Sequence, residues 1–250
     1  MAASRRRFDP LSLSPALWLD ASDADTLYDA TSGGSLVAPN GLVRRWEDKS
    51  RNEKHGISEG TAPVRKTGVQ NSRDIIRWSA NGGFLTSLSY LIDNVDIFAV
   101  WNKTGNPSNI FGNLSVIVGG SALGGFGGRW NIGTTDAGAR RVQVRSNSVA
   151  FSSTYYTDAT LPTAAELWRL RGNATTLSGS RNGAALTDSL HGLTPATTPG
   201  NFRIGRGDIT GGSDFSIRAD VMEILIFSSH LTSGDVAKVQ AYLNNKWAIY

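Results

Sequence analysis

Cysteine is absent from the 250 residues, so neither a disulfide framework nor a thiolate metal site can hold the chain, and cohesion must come from its core or from partners. Histidine is scarce: His55, His191 and His230 are scattered over apparent turns, which argues against a zinc or redox-metal centre. Glutamate occurs five times, at 47, 53, 59, 166 and 223, and none has an acidic residue two positions away. A retaining glycosidase needs two carboxylates about 5 Å apart, which a strand supplies from alternate residues on one face. Asp220 and Glu223, three apart, fall on opposite faces of a regular strand. The glycine-rich stretch Gly119 to Gly128 lacks a following Lys-Ser or Lys-Thr and any βαβ context, so it reads as a connecting loop and not as a phosphate cradle. The longest apolar run, Ile97 to Trp101, is far too short to span a bilayer. From these absences we expect no enzyme, and action by binding or assembly.

What is abundant is glycine (28 residues), with seven tryptophans and 40% hydrophobic content, the composition of a turn-rich all-β protein. The length suits one β-sandwich domain. The net charge is +4, yet without Arg5, Arg6 and Arg7 the 25 basic residues fall to 22 against 21 acidic. The excess is carried by an arm and not by a face, which argues against a nucleic-acid partner. Ser4 to Phe8 has the look of a twin-arginine export signal, but Asp9, Pro10 and Asp20 interrupt the apolar core such a signal requires. Residues 1–14 are therefore expected to be a basic arm. Arg5, Arg6, Arg7 and Phe8 would contact a neighbouring subunit, and the arm would add little to the sandwich itself.

Residues 15–250 read as one domain of short strands. Leu17-Trp-Leu19 and Leu42 to Trp46 come first, then Asp74 to Trp78 and Phe84-Leu85, which the Asn81-Gly82 signal would join as a hairpin. Val95 to Trp101 reads as a core strand. Strict alternation in Arg140 to Arg145 and in Glu166 to Arg171 sets Trp168 and Leu170 inward and Arg169 and Arg171 outward. Ser180 to Gly183 is a tight turn. Ile217 to Phe227 is an apolar run broken by Glu223, an inner strand whose outer face is also partly covered. A helix follows, with Thr232 as N-cap and Leu231 and Val236 as a hydrophobic staple. Its stripe Val236, Val239, Leu243, Trp247 would lie on the sheet while Lys238, Asn244 and Lys246 face water.

Glu223 to Phe227, Leu231-Thr-Ser233 and Tyr242 to Ile249 resemble the ending of concanavalin A-like (laminin-G-like) jelly-roll domains. Leu17 to Asp23 and Trp46 to Asn52, with His55 beyond, resemble their start. The resemblance implies an all-β, two-sheet antiparallel jelly-roll sandwich with a short C-terminal lid helix. It also implies the settings where such domains occur. One is a bacteriophage virion, as a tail, fibre or capsid-decoration component bound to other virion proteins or to copies of itself. The other is a bacterial surface or secreted protein with a glycan-binding module. Sugar recognition in this fold uses exposed aromatics, and Trp130, Tyr155 and Tyr156 stand beside polar loops, as either sugar platforms or packing residues. Asp20, Asp23 and Asp25 share one loop, with Asp48 near it. They either cap turns or offer calcium its preferred hard oxygen ligands.

Overall fold

In the computed structural model of the chain, which describes residues 8–79, 82–89, 93–105, 114–119, 130–134, 140–145, 151–155, 164–173, 175–186, 189–190, 200–205 and 218–250, the architecture is built around the strand Ala219–Phe227. All nine of its residues are buried. On one side it pairs with Val95–Lys103; on the other, Arg73–Trp78 covers its first half and Leu17–Asp20 its second. Glu166–Gly172, Thr176–Arg181 and Val64–Gln70 extend this sheet, and a second antiparallel sheet, from Leu27–Tyr28 to Phe151–Tyr155, faces it. The chain is a two-sheet β-sandwich with one C-terminal helix, as the sequence implied.

Leu19, Trp78, Trp101, Trp168, Ile224 and Ile226 of the first sheet meet Trp46, Phe84, Trp130, Ile132, Phe202 and Ile204 of the second in the main core. The outer face of the first sheet carries Trp18, Ile75, Phe98, Val100, Leu225 and Phe227. The helix Ser233–Trp247 covers it with Val236, Val239, Leu243 and Trp247. There are thus three layers, and the central sheet is apolar on both faces because both are covered. Trp130, one of the three aromatics expected to meet a sugar, is fully buried. Its ring lies so close to Gly172 that a Cβ there would stand 2.1 Å from it. Only a bare backbone fits beneath it, so Trp130 is a core residue.

Thr232 caps the helix as expected, its hydroxyl accepting the Asp235 N–H. Two other expectations are revised. Arg73–Trp78 and Gly82–Ser89 lie in opposite sheets, so they form no hairpin. The true hairpin joins Val64–Gln70 to Arg73–Trp78 through Asn71 and Ser72, both at positive φ (48° and 57°). That is the left-handed pair a two-residue turn needs, here without glycine. The segment expected to be an assembly arm adding little to the sandwich is packed on it from Phe8 onward. Pro10–Leu13 forms a 3-10 turn capped by Asp9, Pro10 is buried, and Phe8, Leu11 and Leu13 pack on the helix-side core. Apolar side chains at three of these positions give the segment a reason to dock on its own body. Arg5, Arg6 and Arg7 lie outside the described residues.

Candidate binding cleft

Asp220 and Glu223 share one face of their strand, because a β-bulge at Met222 breaks the pairing register between Val221 and Glu223. The extra residue resets the alternation. Without it Glu223 would enter the sandwich core; with it, the carboxylate lies under the helix, where four donors reach it. Its Oε1 accepts from Trp18 Nε1 (2.8 Å) and Tyr242 Oη (2.9 Å), and its Oε2 from Trp247 Nε1 and Lys246 Nζ (2.7 and 2.8 Å).

Asp20 lies directly opposite Glu223 across the strand pair, so two buried carboxylates stand side by side after all. Lys246 bridges them, with Nζ 2.7 Å from Asp20 Oδ1. Expected to face water, Lys246 is only 4% exposed. It sits one turn beyond Tyr242 on the helix flank that faces this acid pair, and charge complementarity outweighs the cost of burying its ammonium. Lys49 closes the network, 3.0 Å from Asp20 Oδ2, 2.7 Å from Asp23 Oδ2, and over the Trp18 ring at 4.5 Å.

The electrostatics follow from this geometry. Burial works against ionising Asp20, but the Lys246 and Lys49 ammonium groups outweigh it and hold its pKa below the ordinary value. Burial pushes the Glu223 pKa up, reinforced by the Asp20 charge, with Lys246 and Trp247 pulling the other way. Burial would depress Lys49, yet Asp20 and Asp23 raise it above its usual range.

Above the network opens a cleft of about 570 Å³. Its aromatic wall is Phe8, Trp18 and Tyr242, with Phe8 edge-on to Tyr242 at 6.0 Å. Asp20, Asp23, Lys49, Lys246 and Arg73 supply its polar groups. Glu223 lies behind, so Asp20 is the member of the carboxylate pair that reaches the cleft. Apolar ring faces and edges beside several donors and acceptors suit a polyhydroxylated ligand.

The four aspartates considered for calcium are divided. Asp20 and Asp23 close on Lys49, so the positive charge they share is an ammonium. Asp48 accepts the N–H groups of Trp18, Ser50 and Lys54 and the Ser50 hydroxyl, which makes it the centre of its own turn. Asp25 stands exposed in the short turn Ala24–Thr26. Among the described residues no group of three or more His, Cys, Asp or Glu is arranged to hold a metal ion. Tyr155 ends the strand Phe151–Tyr155 opposite Arg141, and Tyr156 lies outside the described residues. The cleft residues Trp18, Lys49 and Tyr242 were visible only as parts of the stretches that resemble the start and ending of jelly-roll domains. The only sequence hints of a shared site were Trp18 and Asp20 two apart on a strand, and Tyr242 and Lys246 four apart on a helix.

Neither a protein-family profile nor a curated protein matches the chain in sequence. Solved structures do match in fold. Trypanosoma rangeli sialidase in complex with sialic acid superposes on 94% of this chain with a TM-score of 0.58 and 14% identity. A mutant of that sialidase displaying trans-sialidase activity superposes on 96%, with a TM-score of 0.58 and 15% identity. The receptor-binding domain of a botulinum neurotoxin mosaic serotype C/D superposes on 91%, with a TM-score of 0.60 and 12% identity. The chain spans about a third of each sialidase (33% and 34%) and half of the toxin domain (50%). At these identities the likeness is one of fold. It corrects the expectation of a non-enzyme, because proteins that contain this sandwich include sialidases. The adjacent Asp20 and Glu223 also remove one ground for it, the lack of neighbouring carboxylates.

Proposed function

We propose that the chain is a carbohydrate-recognition β-sandwich that takes a saccharide in the cleft beneath the N-terminal turn. The observation that carries this reading is the cleft's make-up: three aromatic side chains beside Asp20, Asp23, Lys49 and Arg73, held in place by an ion network that ties the helix to the sheet. The fold neighbours support it, being sialidases and a toxin receptor-binding domain, one of them in complex with sialic acid. Trp18 borders the cleft and reports on it. Titrating neutral and acidic saccharides against tryptophan fluorescence and NMR shifts should therefore identify a binder. Asp23→Asn, which alters a half-exposed acceptor without entering the core, should weaken that binder about tenfold with an unchanged Tm. Analysis of the sugar after incubation separates binding from turnover. If no saccharide perturbs the cleft, or Asp23→Asn binds as well as the parent, the reading fails.

The setting we propose is a particle or surface that meets cells: a phage tail, fibre or capsid-decoration component, or else a bacterial surface or secreted protein. The basic run Arg5 to Arg7 favours the first, since arginine forks suit carboxylates on a neighbouring subunit. Mass spectrometry of purified particles tests it, and absence of the polypeptide from them would leave the second.

A further inference from the structure

A second depression lies on the other side of the Pro10–Leu13 turn, about 790 Å³ in volume. Leu11 borders both it and the cleft, so the turn is a ridge between two sites. The chemistry of this groove differs from that of its neighbour. Two cations, Arg51 and Lys54, line it and no carboxylate does, whereas three aspartates line the cleft. Leu11, Pro15 and Leu88 form an apolar floor, and Ser14 and Ser228 present exposed hydroxyls.

The cationic loop is built, not loose. Asp48 accepts the Ser50 and Lys54 N–H groups at 2.8 and 3.0 Å, at either end of the turn. Asn52 Nδ2 donates to the carbonyls of Pro15 and Ala16 at 3.0 and 3.3 Å, pinning the middle to the groove wall. Arg51 and Glu53 hold positive φ, 73° and 55°, a conformation non-glycine residues keep only when their surroundings impose it. The acids nearby do not neutralise the cations: Asp48 is occupied by backbone donors, Glu53 does not line the groove, and neither Arg51 nor Lys54 forms an ion pair among the described residues.

We infer that this groove binds an anionic group, a sulfate ester or a carboxylate, carried on a saccharide chain. The guanidinium is suited to two oxygens of such a group, while the leucine floor and serine hydroxyls meet the sugar body. The inference stands on the groove's own residues and does not require the cleft to bind.

The test uses the full chain and three polymers: dextran, dextran sulfate and polygalacturonate. The parent should bind at least one anionic polymer and bind it less tightly as salt rises, with dextran showing no contribution from this groove. Arg51→Ala with Lys54→Ala should weaken that binding at least tenfold at unchanged Tm. Lys238→Ala with Arg44→Ala removes equal charge from exposed positions elsewhere and should change it less than twofold. Repeating both in a background with Arg5, Arg6 and Arg7 replaced by serine removes attraction to the N-terminal arginines. Loss on sulfate alone or carboxylate alone names the source. Equal losses in the two double variants, or no binding to either anionic polymer, would overturn the inference. Failure of the cleft would show instead as an unchanged response to Asp23→Asn.

Discussion

Glu223 has no exposed surface, and its two oxygens accept two indole N–H groups, one phenol and one ammonium. An amide cannot replace it, because a glutamine would set its NH2 against donors on one side. Glu223→Gln should therefore destabilise the fold by about 3–5 kcal/mol, the usual cost of breaking a buried charged pair from one side, as read by chemical denaturation. Asp20 makes a prediction of opposite kind, in pH. Its folded pKa lies below the ordinary value, so its stabilisation is complete above the unfolded pKa and is lost as pH falls through the folded one. Stability should drop on acidification below about pH 4, and Asp20→Asn should flatten the profile in that window. The raised pKa of Glu223 has the reverse sign and acts at higher pH, as the protein ionises it, so the two contributions separate along the pH axis.

At the scale of elements, the helix is fastened at both ends by groups distant in sequence. At its start, buried Asp96 accepts from Arg169 and Arg171 and from the Leu231 N–H, and Arg171 returns a hydrogen bond to the Leu231 carbonyl. At its end, Gln70, Asn71 and Arg73 donate to the carbonyls of Lys246 and Trp247, the last-turn acceptors a helix leaves open. The tip of the Val64–Trp78 hairpin is thus the C-terminal cap of the helix. Ser72 holds φ 57° there, and glycine adopts this without the penalty a Cβ brings. Ser72→Gly should raise stability by about 1 kcal/mol in thermal unfolding. A loss would mean that the serine side chain contributes something its backbone strain conceals.

At the scale of the molecule, the N-terminal segment belongs to the third layer. Phe8, Leu11 and Leu13 rest on the core between helix and sheet, and the same segment walls both the cleft and the groove. Three half-buried apolar side chains amount to about 3 kcal/mol. Deleting residues 1–14 should therefore lower Tm by about 6–12 °C for a chain of this size, measured by differential scanning calorimetry. It should also remove saccharide binding at the cleft. An unchanged Tm would return the segment to the status of an arm.

Local chemistry determined much of this protein from the sequence alone. Period-two alternation picked out Trp168 and Leu170 as inward and Arg169 and Arg171 as outward, and the Thr232 cap, the stripe ending at Trp247 and the doubly covered strand followed from near neighbours. Each of these rests on contacts within a few residues, where spacing and propensity decide. The sites did not. A one-residue bulge at Met222 reverses the facing of Glu223, and no local signal marks it, because its position coincides with the change of partner strand from Arg73–Trp78 to Leu17–Asp20. Lys246 read as a surface residue until Asp20 and Glu223, 226 and 23 positions away, arrived beneath it. Only the tertiary structure sets the Lys246 ammonium 2.7 Å from Asp20 and 2.8 Å from Glu223, since the pairing of strands far apart in the chain, and not the character of any single residue, creates the low-dielectric place where an ammonium is held.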